Sequence, residues 1–334
     1  MRVGIIGAGL QGRRRAEAMR QFPDTEIRVI SAAHREPAQA LAKEMGCDAE
    51  VGWDAVVARD DIDAVIVCTP PQLHAEISVE AMRRRKHVLC EKPLARTVEE
   101  AQGMLDVAAS TGVVLKCGFN HRHHPGIVQA RAWFDEGLIG KPMFVRCRYG
   151  ICGRPGYEKE WRADPRIVAG GHLMEQGIHA IDLSRWFLGE FAEVTCFRQS
   201  YYWPTGDLED NAFVLYRTQE GAIATIHSSL TQWKNLFSFE VYGESGQVTV
   251  EGLGGGYGTE RAILGLRDFT APFSEKIVEF RGQDSSWAAE WKEFLAAIQG
   301  QREPLGNGQD GLESLRLVFA AYEAAAQKRV INPQ

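Results

Sequence analysis

Met1–Gly12 reads MRVGIIGAGLQG, and the fold of the first third of the chain turns on it. Arg2 to Ile6 is a short β-branched run of the kind that sits in the middle of a parallel sheet. Gly7-Ala8-Gly9-Leu10-Gln11-Gly12 follows, and Arg13 to Gln21 then has helix-forming composition. Strand, G-x-G-x-x-G and helix in that order form the dinucleotide-binding fingerprint. Gly7 allows the tight turn, Gly9 lets the backbone approach a pyrophosphate, and Gly12 lets helix and strand pack closely. The helix start at Leu10 and Gln11 presents N–H groups and a positive dipole end to the phosphates. With 34 glycines in the chain, the motif alone also fits a turn that serves packing only. The flanking strand and helix favour the dinucleotide.

Working outward, 334 residues suggest two domains. Hydrophobic content of 45% and charged content of 25% are those of a globular protein. A net charge of −6 argues against general affinity for nucleic acid or anionic membranes. No apolar run approaches the roughly 20 residues needed to cross a bilayer. The apolar residues near the start belong to the first strand, which leaves no secretory signal. Seven cysteines are scattered without a C-x-x-C pair, several inside apolar strand-like runs, and predict a reducing, cytoplasmic setting.

The second strand is expected over Glu26 to Ala32, and the residues after it choose the coenzyme. NAD-binding chains usually carry an Asp or Glu here for the ribose 2′-OH, but the sequence reads Ser-Ala-Ala-His-Arg-Glu-Pro over 31–37. His34 and Arg35 suit a 2′-phosphate while Glu36 can still reach a ribose, so NAD or NADP is expected with a slight preference for NADP. Ile62 to Cys68 is a buried strand, followed by Thr69 and, past two prolines, His74. Both lie where the carboxyl edge of the sheet meets a bound dinucleotide, although His74 could equally cap or pack on its own helix. His87 to Cys90 is another strand, and Glu91-Lys92-Pro93 follows it. A lysine at that strand end, before a proline that fixes the turn, points to the coenzyme crevice. Thr97 and Glu100 have capping-box spacing for a helix to about Thr111, and Val113 to Gly118 is a sixth strand.

The glycine turn, Glu91-Lys92-Pro93 and the later segment GGHLMEQGIHAIDLSRWFLGE at 170–190 resemble the glucose–fructose oxidoreductase / inositol dehydrogenase / MocA family. Asn120-His121-Arg122 and Trp161-Arg162-Ala163-Asp164-Pro165 are further points of similarity. The resemblance runs nearly end to end. It implies NAD(P)-dependent oxidoreduction of a sugar, polyol or related substrate, with Arg122, Trp161 and Arg162 near coenzyme or substrate.

The second half carries successive strand-like segments without intervening helices, from Met143 to Glu251, and Glu244-Ser245-Gly246 reads as a hairpin turn. The expected fold class is therefore an α/β Rossmann unit with a doubly wound parallel sheet over 1–120. An α+β domain with a mainly antiparallel open sheet would follow over 121–334. The resemblance implies that another subunit covers that sheet, in a homodimer or homotetramer. Gly252 to Gly258 lacks the Lys-Ser/Thr ending of a P-loop and reads as a loop. Two tail helices are expected, about Ser285 to Gln299 and Gly311 to Lys328.

A helix over roughly Val168 to Leu188 would bring His172, Glu175, His179 and Asp182 into one narrow arc of an otherwise apolar cylinder. Such a stripe faces a hydrogen-bonded core network, a metal or reacting groups. The H-E-x-x-H pattern is absent, so no metal is assigned. Hydride transfer from a carbinol also needs a base for the hydroxyl proton, and His179 suits it with an ordinary pKa of about 6.5. In the family the matching histidine follows an aspartate by four residues. Glu175 stands there in this chain and is expected to orient His179 or bind a substrate hydroxyl. Lys92 would hold the reacting oxygen and stabilise charge developing on it. Asp182 is expected beside His179 or on the substrate. Other classes are a nucleotide-retaining sugar-modifying enzyme of glycosidase or epimerase type, a non-catalytic NAD(P)-sensing module, and a metal-dependent hydrolase or isomerase.

Overall fold

Apolar runs alternate with helical stretches through residue 117. The computed structural model, which describes residues 1–270 and 275–333, folds that alternation into a parallel sheet. Strands β1 (Arg2–Ile6), β2 (Glu26–Ala32), β3 (Asp48–Val51), β4 (Ala64–Val67), β5 (His87–Cys90) and β6 (Leu115–Cys117) lie in the order β3-β2-β1-β4-β5-β6. Every pairing among them is parallel. Helices α1 (Leu10–Met19), α2 (Arg35–Met45), α3 (Asp54–Val57), α4 (His74–Arg83) and α5 (Val98–Thr111) lie between the strands. Strand order reverses between β1 and β4, so their carboxyl ends flank the crevice in which doubly wound sheets bind ligands. The expected capping box starts α5: Glu100 N–H donates to Thr97 Oγ1 at 3.1 Å, and Thr97 N–H donates back to the Glu100 carboxylate at 3.3 Å.

Beyond residue 120 the pattern changes from period 3.6 to period 2. After α6 (Pro125–Asp135) come β7 (Pro142–Cys152), α7 (Ile178–Leu188), β8 (Phe191–Gln199), β9 (Asn211–Thr218), β10 (Ile223–Ser229), β11 (Thr231–Gly243), β12 (Gly246–Glu251), β13 (Glu260–Leu266) and β14 (Glu275–Phe280). Their sheet runs β14-β13-β12-β11-β7-β10-β9-β8. β7 and β10 pair in parallel, and the other neighbours are antiparallel. Strands β13 and β14 were not expected. The glycine-rich loop at 252–258 interrupts the apolar pattern before β13, and β14 (Glu-Lys-Ile-Val-Glu-Phe) carries three charges in six residues.

Helices α8 (Ser286–Gly300) and α9 (Gly308–Gln327) close the chain. The structure forms two compact units. The first joins Met1–Asn120 to Arg166–Ala169 and Trp287–Leu315; the second holds His121–Pro165, Gly170–Ser286 and the chain from Arg316. An unbroken second domain over 121–334 is thus corrected. Trp291 and Phe294 of α8 are buried in the core of the first sheet with Val3, Ile5, Ile30 and Leu89. Aromatics of that size bury about 150–250 Å² each, so α8 is held where that apolar area finds cover.

Candidate active site

The glycine turn is built as its spacing requires. Gly7 has φ +112°, and a Cβ there would lie 2.5 Å from the Cys68 carbonyl oxygen at the end of β4. A Cβ on Gly12 would fall 1.8 Å from the Gly7 carbonyl oxygen. A Cβ on Gly9 would meet nothing within 4 Å, which leaves open space over the turn. Gly9 is also the N-cap of α1, with no side-chain cap and no acid in the first turn, so the N–H groups at Leu10 and Gln11 are available to an anion. Gln11 Oε1 and Thr69 Oγ1 are buried without a hydrogen-bond partner. Together these features fit a dinucleotide pyrophosphate: an open cradle with main-chain N–H donors beside it. His34 and Arg35 stand exposed at the start of α2, after the end of β2.

Lys92 follows β5 and is half-buried, and its two neighbours are tied down. On one side, Glu91 accepts Arg15 Nε–H at 2.7 Å. Arg15 is buried in the side of α1 and also donates to Glu290 of α8 at 2.9 Å. On the other side, the buried His74 ring places Nδ1 2.8 Å from the Pro93 carbonyl and Nε2 2.8 Å from the Thr69 carbonyl. Burial pushes the His74 pKa down, against the opposing pull of those two carbonyls and Glu91. Two side chains beside the crevice are engaged within the first unit. Glu91 turns its carboxylate to a guanidinium, and His74 turns both nitrogens to main chain, because each is enclosed among groups that complement it.

In the second unit the straight helix over 168–188 is also corrected. Leu173–Gly177 is a π-helical turn, α7 begins only at Ile178, and His172 precedes both. The i→i+5 bonding of a π turn breaks the 100° phase on which one polar stripe depended. Glu209, 36 residues downstream, shapes this start. Its carboxylate accepts the Leu173 N–H at 2.9 Å, and its carbonyl accepts the His172 N–H at 2.9 Å. A Cβ on Gly171 would come within 2.4 Å of Glu209, so a glycine is needed where the two meet.

Glu175, His179 and Asp182 each meet a different partner. Glu175 accepts Tyr157 O–H at 2.6 Å and Arg162 Nε–H at 2.7 Å, and the Arg162 guanidinium stacks on Trp161 at 4.3 Å. His179 is buried and stacks on His121, with ring centroids 3.8 Å apart and planes 16° from parallel. His121 Nε2 lies 2.9 Å from the Tyr149 hydroxyl, whose pKa burial raises well above 10 and so keeps protonated as a donor. Asp182, expected beside His179 or on the substrate, and Arg122, expected near coenzyme or substrate, form a buried two-pronged pair at 2.6 and 2.8 Å. The fork joins α7 to the segment that carries His121. Arg15, Tyr149 and Glu209 are not singled out by the sequence. A buried Arg in α1 leaves no periodic mark, and each of the others gains meaning only through a distant partner.

A family model described as "Oxidoreductase family, NAD-binding Rossmann fold" matches residues 1–119, and one described as "GFO/IDH/MocA C-terminal domain" matches 127–249. The inositol 2-dehydrogenase of Rhizobium meliloti is 30% identical over 345 residues, covering 99% of this chain and 99% of that protein. The 1,5-anhydro-D-fructose reductase of Ensifer adhaerens is 31% identical over 332 residues, covering 97% and 96%. Among solved structures, a levoglucosan dehydrogenase in complex with NADH superposes with a TM-score of 0.92 at 24% identity, covering 100% of this chain and 99% of that one. That last likeness is one of fold.

Proposed function

The chain belongs to the Gfo/Idh/MocA family and is an NAD-dependent oxidoreductase of sugars or polyols; from that premise we propose that Lys92 and His179 carry its chemistry. The observation behind this reading is Lys92 at the carboxyl end of β5, on the ligand-binding edge of the sheet, with both neighbours anchored. The bound coenzyme supplies a carbon that accepts or donates the hydride. In the oxidative direction His179 would take the hydroxyl proton while the hydride leaves the carbinol carbon that bears that hydroxyl and passes to the oxidised coenzyme. Lys92 donates a hydrogen bond to the oxygen as negative charge grows there. His121 sets the plane of the His179 ring by stacking, and Tyr149 holds His121 from its far edge. The Arg122–Asp182 fork fixes α7 beneath them. Glu175, held by Tyr157 and Arg162, positions the Trp161–Arg162 segment for substrate or coenzyme.

NAD is the coenzyme that the family description supports, and the NADH in a fold neighbour agrees with it. His34 and Arg35 alone speak for NADP. The open face of the second sheet is where a second copy would bind to make a homodimer or homotetramer. Phe213, Leu215 and Ile223 are 41%, 43% and 39% exposed there, between inward-facing neighbours. Seven free cysteines support a reducing, cytoplasmic setting. Among the described residues no helix is long and apolar enough to cross a membrane.

The deciding experiment is calorimetry with NAD and NADP, followed by an absorbance screen of sugars, polyols and nucleotide sugars. Lys92→Ala and His179→Ala should each keep coenzyme affinity and lose turnover by about 10²–10³-fold. Parental rates in both variants would sink the reading. Product without net reduced nicotinamide would move it to a nucleotide-retaining enzyme.

A further inference from the structure

Lys92 is the one proposed catalytic group that the first unit supplies, and the residues that fix it come from three separate segments. Arg15 is 2% exposed, on the inner side of α1, two helical positions past Gly12–Arg13. Its Nε and a terminal nitrogen both reach Glu91 Oε1 at 2.7 Å, and its other terminal nitrogen donates to Glu290 Oε2 at 2.9 Å. Trp287 of α8 lies under the guanidinium, 5.0 Å away. Lys116 of β6 stands 3.4 Å from Glu290 Oε1. Two cations and two carboxylates thus meet in one buried cluster, and removing one member unbalances its charge. Gly118 shows that the strand side makes room for it, since a Cβ there would come 2.8 Å from the Arg15 guanidinium.

We propose that Arg15 is a positioning residue for Lys92: it ties the helix that receives the coenzyme phosphates to the residue that precedes the lysine, while His74 holds the residue that follows it. The assignment rests on Lys92 acting as proposed above. The planar guanidinium matters because one fork engages Glu91 and Glu290 at once, on β5's end and on α8. A lysine in its place keeps the charge but engages them from a single point. Glu91 is then free to turn, and the adjoining Lys92 peptide turns with it. A displacement of about 1 Å at a catalytic group costs on the order of 10²-fold in rate. The coenzyme cradle at Gly7–Gly12 is unaffected, since none of its donors belongs to Arg15.

The test uses Arg15→Lys and Glu91→Gln in the full chain, each alone and in a Lys92→Ala background. Coenzyme affinity is read by calorimetry, and kcat and KM are read with myo-inositol, levoglucosan or whichever sugar the screen shows to be turned over. Arg15→Lys should lower kcat by on the order of 10²-fold, with coenzyme Kd and substrate KM changed by less than about threefold. Neither substitution should lower the residual rate of Lys92→Ala further, because their effect passes through the lysine. Glu91→Gln carries the same test should Arg15→Lys fail to fold. Parental kcat in the folded variants, or the full loss repeated without Lys92, overturns the assignment. If Lys92→Ala itself turns over normally, the failure lies with the proposed function, and the positioning role falls with it.

Discussion

The turn at Gly7–Gly12 and the turn at Leu173–Gly177 each open a helix that serves the proposed chemistry, yet they are specified in opposite ways. The first is dictated by its own residues. Gly7 needs a positive φ, Gly12 leaves no room for a methyl, and Gly9 stands open. The second is dictated from afar: Glu209 accepts its first N–H groups from 36 residues downstream, and Arg122 grips Asp182 from 60 residues upstream. A turn set by local sterics can be read in a single chain. A turn set by distant polar partners takes its shape only when the fold brings them in.

Breaking the local turn should give the largest effect. Gly12→Ala puts a methyl 1.8 Å from the Gly7 carbonyl oxygen, backbone that cannot move without parting α1 from β1. The first unit should lose more than about 4 kcal/mol of stability and all coenzyme binding. Gly9→Ala is the matched control. Its methyl meets no protein atom, so stability should fall by no more than about 1 kcal/mol, while coenzyme affinity drops because the methyl occupies the phosphate cradle. Thermal unfolding and calorimetry on the pair check both. Equal stability of the two variants would show that the turn is not sterically closed.

The same contrast explains what the sequence revealed. The alternation of strands and helices, the capping box at Thr97 and the place of Lys92 at a strand end follow from periodicity and turn chemistry, which act over a few residues. The π turn at Leu173–Gly177, which interrupts the helix carrying His172, Glu175, His179 and Asp182, is announced by no local spacing, and its start meets distant Glu209. Nothing in the spacing of Arg122 and Asp182 marks them as partners. The return of α8 to the first sheet was likewise invisible, since Trp291 and Phe294 suit any core. His74 reads equally as a coenzyme contact and as packing on its own helix, because motif reading identifies residues near a crevice without saying which way their side chains turn.

The distant grip is tested next, with a smaller effect. Asp182→Asn removes the carboxylate charge from the two-pronged pair with buried Arg122, and the second unit should lose about 3–5 kcal/mol. The double substitution Arg122→Met with Asp182→Leu removes both charges and should recover most of that loss. Urea denaturation of the singles and the double gives the coupling. Additive losses would mean that the fork does not hold α7.

The smallest effect concerns Glu209, the side chain that shapes the π turn, and it appears as a pH dependence. Burial raises the Glu209 pKa above its ordinary 4.5, against the lowering pull of the Leu173 N–H, the Tyr322 hydroxyl and Arg198. The folded state therefore keeps the Glu209 proton at pH values where the unfolded chain has lost it. The stability this contributes is complete below pH 4.5 and is lost as pH rises through the folded value, with a slope of at most about 1.4 kcal/mol per pH unit. Glu209→Gln keeps an oxygen to accept the Leu173 N–H but has no proton to lose. Its stability, minus that of the parent, should rise with pH just above 4.5 and level off once the folded carboxyl has ionised. Urea denaturation of both proteins from pH 4 to pH 8 gives that difference directly. A difference that is flat across the range would mean that Glu209 sits in the fold as an ordinary solvated carboxylate, and the π turn would then have to be held by the chain around it, which would bring the second turn closer in kind to the first.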